Sequence, residues 1–282
     1  MKTIIFNSYK GHTNKTKTLV NFAKELAEKG KEVAILDWCI GEPNVLDKFN
    51  QKPNKGFIDY LMQFSVEERL DQRKISKRVK ELKKLVVYPS SNISCITTGN
   101  TNKSEYWTTC NSYNFHKIFY FTDAQAKGLS YASLNTDDLA NNFKAFENDK
   151  DVIQEACGNP DYLLIDTKGI FDANLFFIEW ADNFLFFLPY NTNIREEYLY
   201  GSALITSALS KIKKKFDLYL MLSCIPEKII LNPKEIKEIE KKIISYWEEK
   251  GVENQEFITL CDNRDINFSF NLFTLWYKIN FT

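Results

Sequence analysis

The feature that most constrains this chain is the run Phe6-Asn7-Ser8-Tyr9-Lys10-Gly11-His12-Thr13-Asn14-Lys15-Thr16-Lys17-Thr18. It follows a short apolar segment, Thr3-Ile4-Ile5-Phe6, that reads as a buried β-strand. It precedes Leu19 to Lys29, where Leu19, Phe22, Ala23, Leu26 and Ala27 fall at helical spacing. A strand, a tight loop and a helix with Lys-Thr in its first turn make a cradle for an anion. Loop N–H groups and the helix N-terminus point at a phosphate, the lysine neutralises it, and the hydroxyl reaches a metal ion. The alternative is an ordinary polar turn between strand and helix.

Length and charge narrow the choice further. The chain has 282 residues, enough for one large α/β domain. Its 37 basic and 37 acidic side chains cancel. That balance argues against a dedicated nucleic-acid binder, though it permits a local basic patch. Six cysteines are scattered without a C-x-x-C pair and only two histidines accompany them, so free thiols are expected rather than a zinc site. The N-terminal residues enter a strand directly with no apolar leader. The most apolar stretch, Asn174 to Tyr190, contains Glu179, Asp182 and Pro189, so no membrane span is expected. The expected location is cytoplasmic.

Along the chain, Gly30-Lys31 makes a turn and Glu32 to Leu36 a strand that ends in Asp37. An aspartate at the C-terminal end of a parallel strand, beside a phosphate loop, suits a metal's water shell or a nucleophilic water. It would equally serve as a loop or helix-cap carboxylate. Lys55 to Phe64 reads as a short helix and Val66 to Lys84 as one long helix with eight basic residues. The latter is either a solvated face or a basic surface for DNA, RNA or an acidic partner. Leu85 to Tyr88 reads as a strand and Pro89 to Lys103 as a long loop within an insertion at about 89–135. Asp137 to Cys157 is helical, stopped by Gly158-Asn159-Pro160.

The second informative stretch is Asp161-Tyr162-Leu163-Leu164-Ile165-Asp166-Thr167-Lys168-Gly169. Four apolar residues in a row suggest a strand buried on both faces, with Asp166 at its C-terminal edge, where a carboxylate reaches a metal. Thereafter helices (Phe171 to Ala181, Thr192 to Lys214, Pro233 to Gly251) alternate with strands (Asn183 to Leu188, Asp217 to Ser223, Phe257 to Leu260). The aromatic tail, Ile266 to Phe281, packs on the core or docks another protein. The expected fold is α/β, a mostly parallel central sheet flanked by helices, in a single domain over 1–282.

The first loop resembles the deviant Walker A loop of ParA/MinD-like P-loop ATPases, Lys-Gly-Gly-x-Gly-Lys-(Ser/Thr). Lys10, Gly11, Lys15 and Thr16 match, while His12 and Asn14 replace glycines. Asn is the non-glycine residue that best tolerates positive φ, so Asn14 is expected to keep the bend. The subgroup with a Lys-Gly-Gly-Val-Gly-Arg loop is similar in further segments. These are Gly56-Phe57-Ile58-Asp59-Tyr60-Leu61, Val86 to Ser91, and Asp161 to Gly169.

The resemblance implies binding of ATP and Mg²⁺ by a homodimer that closes across the nucleotide. Lys10, Gly11, His12, Thr13, Asn14, Lys15, Thr16 and Lys17 would form the nucleotide loop. Thr16, Asp37 and Asp166 would serve the metal. Lys10, acting on the partner's phosphates, and Asp37 would be the catalytic groups. The family carries Asp-x-Asp where this chain has Asp37-Trp38-Cys39, and His12, Asn14 and Cys39 together imply weak or slow hydrolysis. Two alternatives stay open. One is an inactive P-loop scaffold or regulatory subunit that binds a partner protein, in a bacterial defence or stress operon by family association. The other is a DNA-binding partition protein resting on the basic segment 66–84.

Overall fold

The computed structural model describes residues 1–8, 13–39, 43–52, 55–99, 136–167, 177, 180–189, 217–225, 233–249 and 255–261. Eight strands form one sheet, ordered β3-β4-β2-β5-β1-β6-β7-β8. They are β1 (Lys2–Ser8), β2 (Val33–Trp38), β3 (Val87–Ser90), β4 (Ile93–Thr97), β5 (Tyr162–Thr167), β6 (Asn183–Pro189), β7 (Asp217–Ile225) and β8 (Gln255–Cys261). All neighbours pair in parallel except β3 and β4. The described helices are α1 (Lys15–Glu28), α2 (Phe57–Gln63), α3 (Val66–Leu70), α4 (Ile75–Lys83), α5 (Thr136–Ala156) and α6 (Pro233–Glu249). This is the expected mostly parallel α/β architecture.

The central strands read as continuous apolar runs because both faces are covered. On one face α1 lays Leu19, Phe22, Ala23 and Leu26 against Ile4, Phe6, Val33, Ile35 and Leu164. Phe6 stacks on Phe187 at 5.9 Å and tilts against Phe22 at 6.2 Å. A buried aromatic chain holds α2 and α5: Trp38 packs edge-on against Phe57 at 5.8 Å and Phe177 at 5.3 Å, and Phe177 against Phe146 at 6.2 Å.

Two sequence expectations are overturned. Pro89 to Lys103 is not a continuous loop: Ile93–Thr97 is the buried strand β4, paired in parallel with β2. Its Ser94 and Thr97 look like loop residues, but the Ser94 hydroxyl donates to the Val33 carbonyl at 3.4 Å. Nor is Val66 to Lys84 one helix. It breaks at Asp71, whose backbone is extended (φ −77°, ψ 105°) and whose side chain accepts from the Arg73 N–H. Two of its arginines are interior. Arg69 and Arg78 both pair with Asp149 of α5, and all three are buried. The Tyr60 hydroxyl donates to Asp149 at 3.0 Å, and Arg78 Nε donates to the Tyr60 oxygen at 3.0 Å. Burial, then the adjacent Asp149 charge, pushes the Tyr60 phenol well above its ordinary range. Outside, Arg73 pairs with Asp71, Lys74 with Glu68 and Lys84 with Glu81. The segment is therefore less basic at its surface than in its sequence.

Gly56, at the N-cap of α2, meets the end of β4 backbone to backbone. A Cβ there would stand 2.2 Å from the Gly99 nitrogen and 2.2 Å from the Thr97 carbonyl oxygen. The Asp59 carboxylate accepts the Gly56 N–H at 2.7 Å. The Gly56-Phe57-Ile58-Asp59-Tyr60 segment thus joins sheet, aromatic chain and arginine cluster. The expected insertion falls largely on residues 100–135, outside the described residues, as do the segments 192–214 and 266–281.

Asp149→Asn removes the charge between two buried guanidinium groups. Breaking a buried ion pair costs about 3–5 kcal/mol. Urea unfolding of this variant is expected to show a loss of that size, and a much smaller one for Asp71→Asn, whose partner Arg73 lies in solvent.

Candidate phosphate and metal site

Strand register builds the site. Phe6 on β1 aligns with Asp166 on β5, and Asp166 aligns with Asp37 on β2. Alternation along a strand puts every second residue on one face. Tyr162 and Leu164 of β5 and Val33 and Ile35 of β2 face α1, so Asp166 and Asp37 share that face. Both carboxylates are fully buried at the C-terminal edge of the sheet. The chain leaves β1 here and enters α1, while β5 lies between β1 and β2, so this edge is a crossover crevice of the kind where open α/β sheets take ligands.

Asn14 caps α1 in the left-handed region, φ 56° and ψ 11°, as its residue type led us to expect. Its carbonyl accepts from the Thr18 N–H at 2.9 Å and from the Thr18 hydroxyl at 3.0 Å. No side chain caps the helix and its first turn holds no acidic residue, which keeps that end favourable to an anion. Lys15 and Thr16 turn toward Asp166. The Lys15 ammonium forms a buried ion pair with Asp166 Oδ1, and the Thr16 hydroxyl donates to Oδ2 at 2.5 Å. Lys15 Nζ also lies 3.9 Å from Cys39 Sγ, which is 3.9 Å from the Asp166 carbonyl oxygen.

Asp37 is held by the backbone. Its Oδ1 accepts the Cys39 N–H at 3.1 Å and its Oδ2 the Val45 N–H at 2.9 Å. Burial raises its pKa, opposed by these two N–H groups and by Lys15. A carboxylate oxygen carries more than one lone pair, so Asp37 still faces the crevice as an acceptor. One donor atom each from Asp37, Cys39 and Asp166 lies within 4.8 Å of the others. With the Thr16 hydroxyl, this offers three oxygens and one soft sulfur. A Mg²⁺ ion keeps several waters and takes one or two carboxylates plus substrate phosphates, and the oxygen set fits that demand.

The sequence singled out Thr16, Asp37 and Asp166 for the metal, and the fold brings all three together with Lys15. Thr13 is buried, Asn14 and Lys17 are exposed, and Lys10, Gly11 and His12 lie outside the described residues, as does the loop from Lys168. Sequence reasoning missed Cys39 as a neighbour of the Lys15 ammonium. It also missed a clamp beneath the site: Asn7 Nδ2 donates to the Thr167 hydroxyl at 2.7 Å, which donates to the Phe6 carbonyl at 3.0 Å. The cysteines Cys39, Cys95, Cys157 and Cys224 are in the thiol form, and burial pushes Cys157 up to about 11.

No family model matches the chain, and no curated protein matches it. Solved structures do. A plasmid partition protein from Borrelia burgdorferi superposes with TM-score 0.57 at 14% identity, over 98% of each chain. A ParA family ATPase from Chlorobium tepidum gives 0.54 at 14% identity, over 99% of this chain and 91% of that one. A Borrelia burgdorferi plasmid partition protein bound to AMPPNP gives 0.55 at 14% identity, over 98% of each. The chain therefore has the fold of the ParA/MinD-type P-loop ATPases. At this identity the likeness establishes the fold.

The buried Asp37 gives a pH test. Its folded pKa is raised, so the folded state holds a proton that the unfolded state has lost. Stability therefore falls as pH rises from the ordinary carboxylate value through the raised one. Asp37→Asn does not titrate there. Urea titrations from pH 4.5 to 7.5 are expected to show wild type losing stability relative to the variant as pH rises.

Proposed function

We propose that this protein is a nucleotide-dependent switch that binds ATP with Mg²⁺ as a homodimer and hydrolyses it slowly. One observation carries the reading: Lys15 and Thr16, at the open N-terminus of α1, converge on Asp166 at the end of the neighbouring parallel strand. The fold shared with an AMPPNP-bound partition protein supports it. Residues 10–17 would form the nucleotide loop within one domain spanning 1–282, and Lys15 would contact the β- and γ-phosphates. Thr16, Asp37 and Asp166 would hold Mg²⁺, which would screen the phosphate charge when bound. Lys10 would reach the partner's phosphates and tie nucleotide state to assembly.

Slow turnover follows from Cys39, with His12 and Asn14. Cys39 stands where the family has its second carboxylate. A thiol is a poor acceptor for a water's proton. The same observation favours a second reading, a scaffold that keeps the fold but not the chemistry and binds a partner protein. Partition-type DNA binding loses support, because Arg69 and Arg78 are interior and Arg73, Lys74 and Lys84 are paired. Among the described residues no helix is long and apolar enough to cross a membrane.

Calorimetric titration with ATP and Mg²⁺ is expected to give one site per chain, lost in Lys15→Ala. Light scattering is expected to show an ATP-dependent dimer, lost in Lys10→Ala. A protein that ignores millimolar ATP, with a partner complex indifferent to both substitutions, would be the scaffold. Cys39→Asp is expected to speed phosphate release, up to the order of 10²-fold that one preorganised group contributes. A phosphate-release assay on both proteins checks this.

A further inference from the structure

Three cations of the basic segment remain once its ion pairs are set aside. Lys77, Lys80 and Lys83 of α4 are exposed, and none of them forms an ion pair among the described residues. Lys77 packs beside the Phe64 ring, 5.7 Å from its centroid. The three lysines stand three residues apart and so are neighbours on one helix face. The adjacent helix carries the opposite sign. Glu147, Asp151 and Glu155 of α5 are exposed, stand four residues apart, and likewise form no ion pair among the described residues. Exposed Lys144 precedes this row, and Lys150 donates to the Trp180 carbonyl at 3.1 Å. Like charges at these spacings destabilise a helix, so each row is under repulsion from its own members. The buried pairing of Arg78 on α4 with Asp149 on α5 holds the two helices together, so both rows belong to one helical layer.

We propose that this layer is a self-complementary surface through which two copies of the chain associate without nucleotide, the α4 lysines of each copy lying on the α5 acids of the other. A two-fold axis requires a patch that matches itself. A positive row beside a negative row does so, because half a revolution sets each row on the other. The mixed sign also selects the occupant. A nucleic acid or an acidic peptide would meet three carboxylates beside the three lysines, and a basic partner would meet the reverse. The 37 basic and 37 acidic side chains of the chain cancel, so no net repulsion keeps two copies apart. Exposed ion pairs are individually weak and screened by salt, so the association is transient and falls with ionic strength. Complementary rows act mainly on orientation and encounter rate. The surface uses none of the residues assigned to nucleotide or metal, so it stands whether or not the nucleotide reading holds.

Sedimentation of the full chain, free of nucleotide, tests this. Wild type is expected to show a concentration-dependent monomer–dimer equilibrium at about 0.01 M salt, where charges act over roughly 30 Å. Its association constant is expected to fall at least ~10-fold at about 1 M salt, where they act over roughly 3 Å. Reversing the positive row (Lys77→Glu with Lys80→Glu) is expected to give a monomer, and so is reversing the negative row (Glu147→Lys with Asp151→Lys). An equimolar mixture of the two variants is expected to form dimers again, because each reversed row then meets an opposite one. All four positions are exposed, so urea midpoints near that of wild type are expected for both variants. A wild type that stays monomeric at millimolar concentration and low salt would overturn the proposal, as would a mixture that does not recover the dimer. A fluorescent DNA duplex provides the competing arm. Duplex binding by wild type without self-association, lost on reversing Lys77 and Lys80, would assign the lysines to nucleic acid and overturn the proposal.

Discussion

The buried ion pair between Lys15 and Asp166 is the constraint on which the phosphate edge of the molecule depends. A carboxylate without solvent needs a cation and further hydrogen bonds, or it gives up its charge. Asp166 finds both on α1, in consecutive residues. The pairing therefore fixes where the first turn of α1 sits over the sheet. It also decides which face of β5 must point toward α1, since a slip of one residue would turn Asp166 to the opposite side. Asn14 completes the arrangement from the backbone side. Its left-handed conformation turns the chain into the helix so that Lys15 and Thr16 both follow on the inward side.

Much of this was legible in the residues, because the relevant signals are local. Apolar Thr3 to Phe6, helical spacing from Leu19 and Lys-Thr between them suffice to write strand, cradle and helix. Strand-end aspartates at 37 and 166 could be marked in the same way. Their meeting came only from the resemblance and not from local pattern, because it depends on β5 inserting between β1 and β2, a fact of sheet order rather than composition. β4 was hidden for a related reason. A strand with Ser94 and Thr97 looks like a loop until neighbours on both sides bury it.

The arginine cluster shows the opposite failure. Arg69 and Arg78 lie in a segment so charged that a solvated face is the natural expectation. Their partner, Asp149, is 80 and 71 residues away in the chain. Two arginines around one aspartate leave one excess positive charge, which is spread by neutral acceptors. Arg78 donates to the Arg69 carbonyl at 2.6 Å and to Tyr60, and the Arg69 guanidinium lies 4.7 Å from the Phe146 ring centroid. Guanidinium suits such a place better than ammonium does, being planar, weakly hydrated and able to stack. The cluster joins α2, α3 and α4 to α5, and α5 feeds β5. The helical layer is thereby tied to the strand that carries Asp166.

Cys39 joins these themes. The crevice already holds Asp37 and Asp166, with the Lys15 ammonium paired to Asp166. A third carboxylate at position 39 would add negative charge to a buried group of two acids and one base, with desolvation working against ionisation. The thiol brings weak hydrogen bonds to Lys15 and to the Asp166 carbonyl without that charge. The crevice therefore keeps its buried charge near balance, with a thiol where a further carboxylate would upset it.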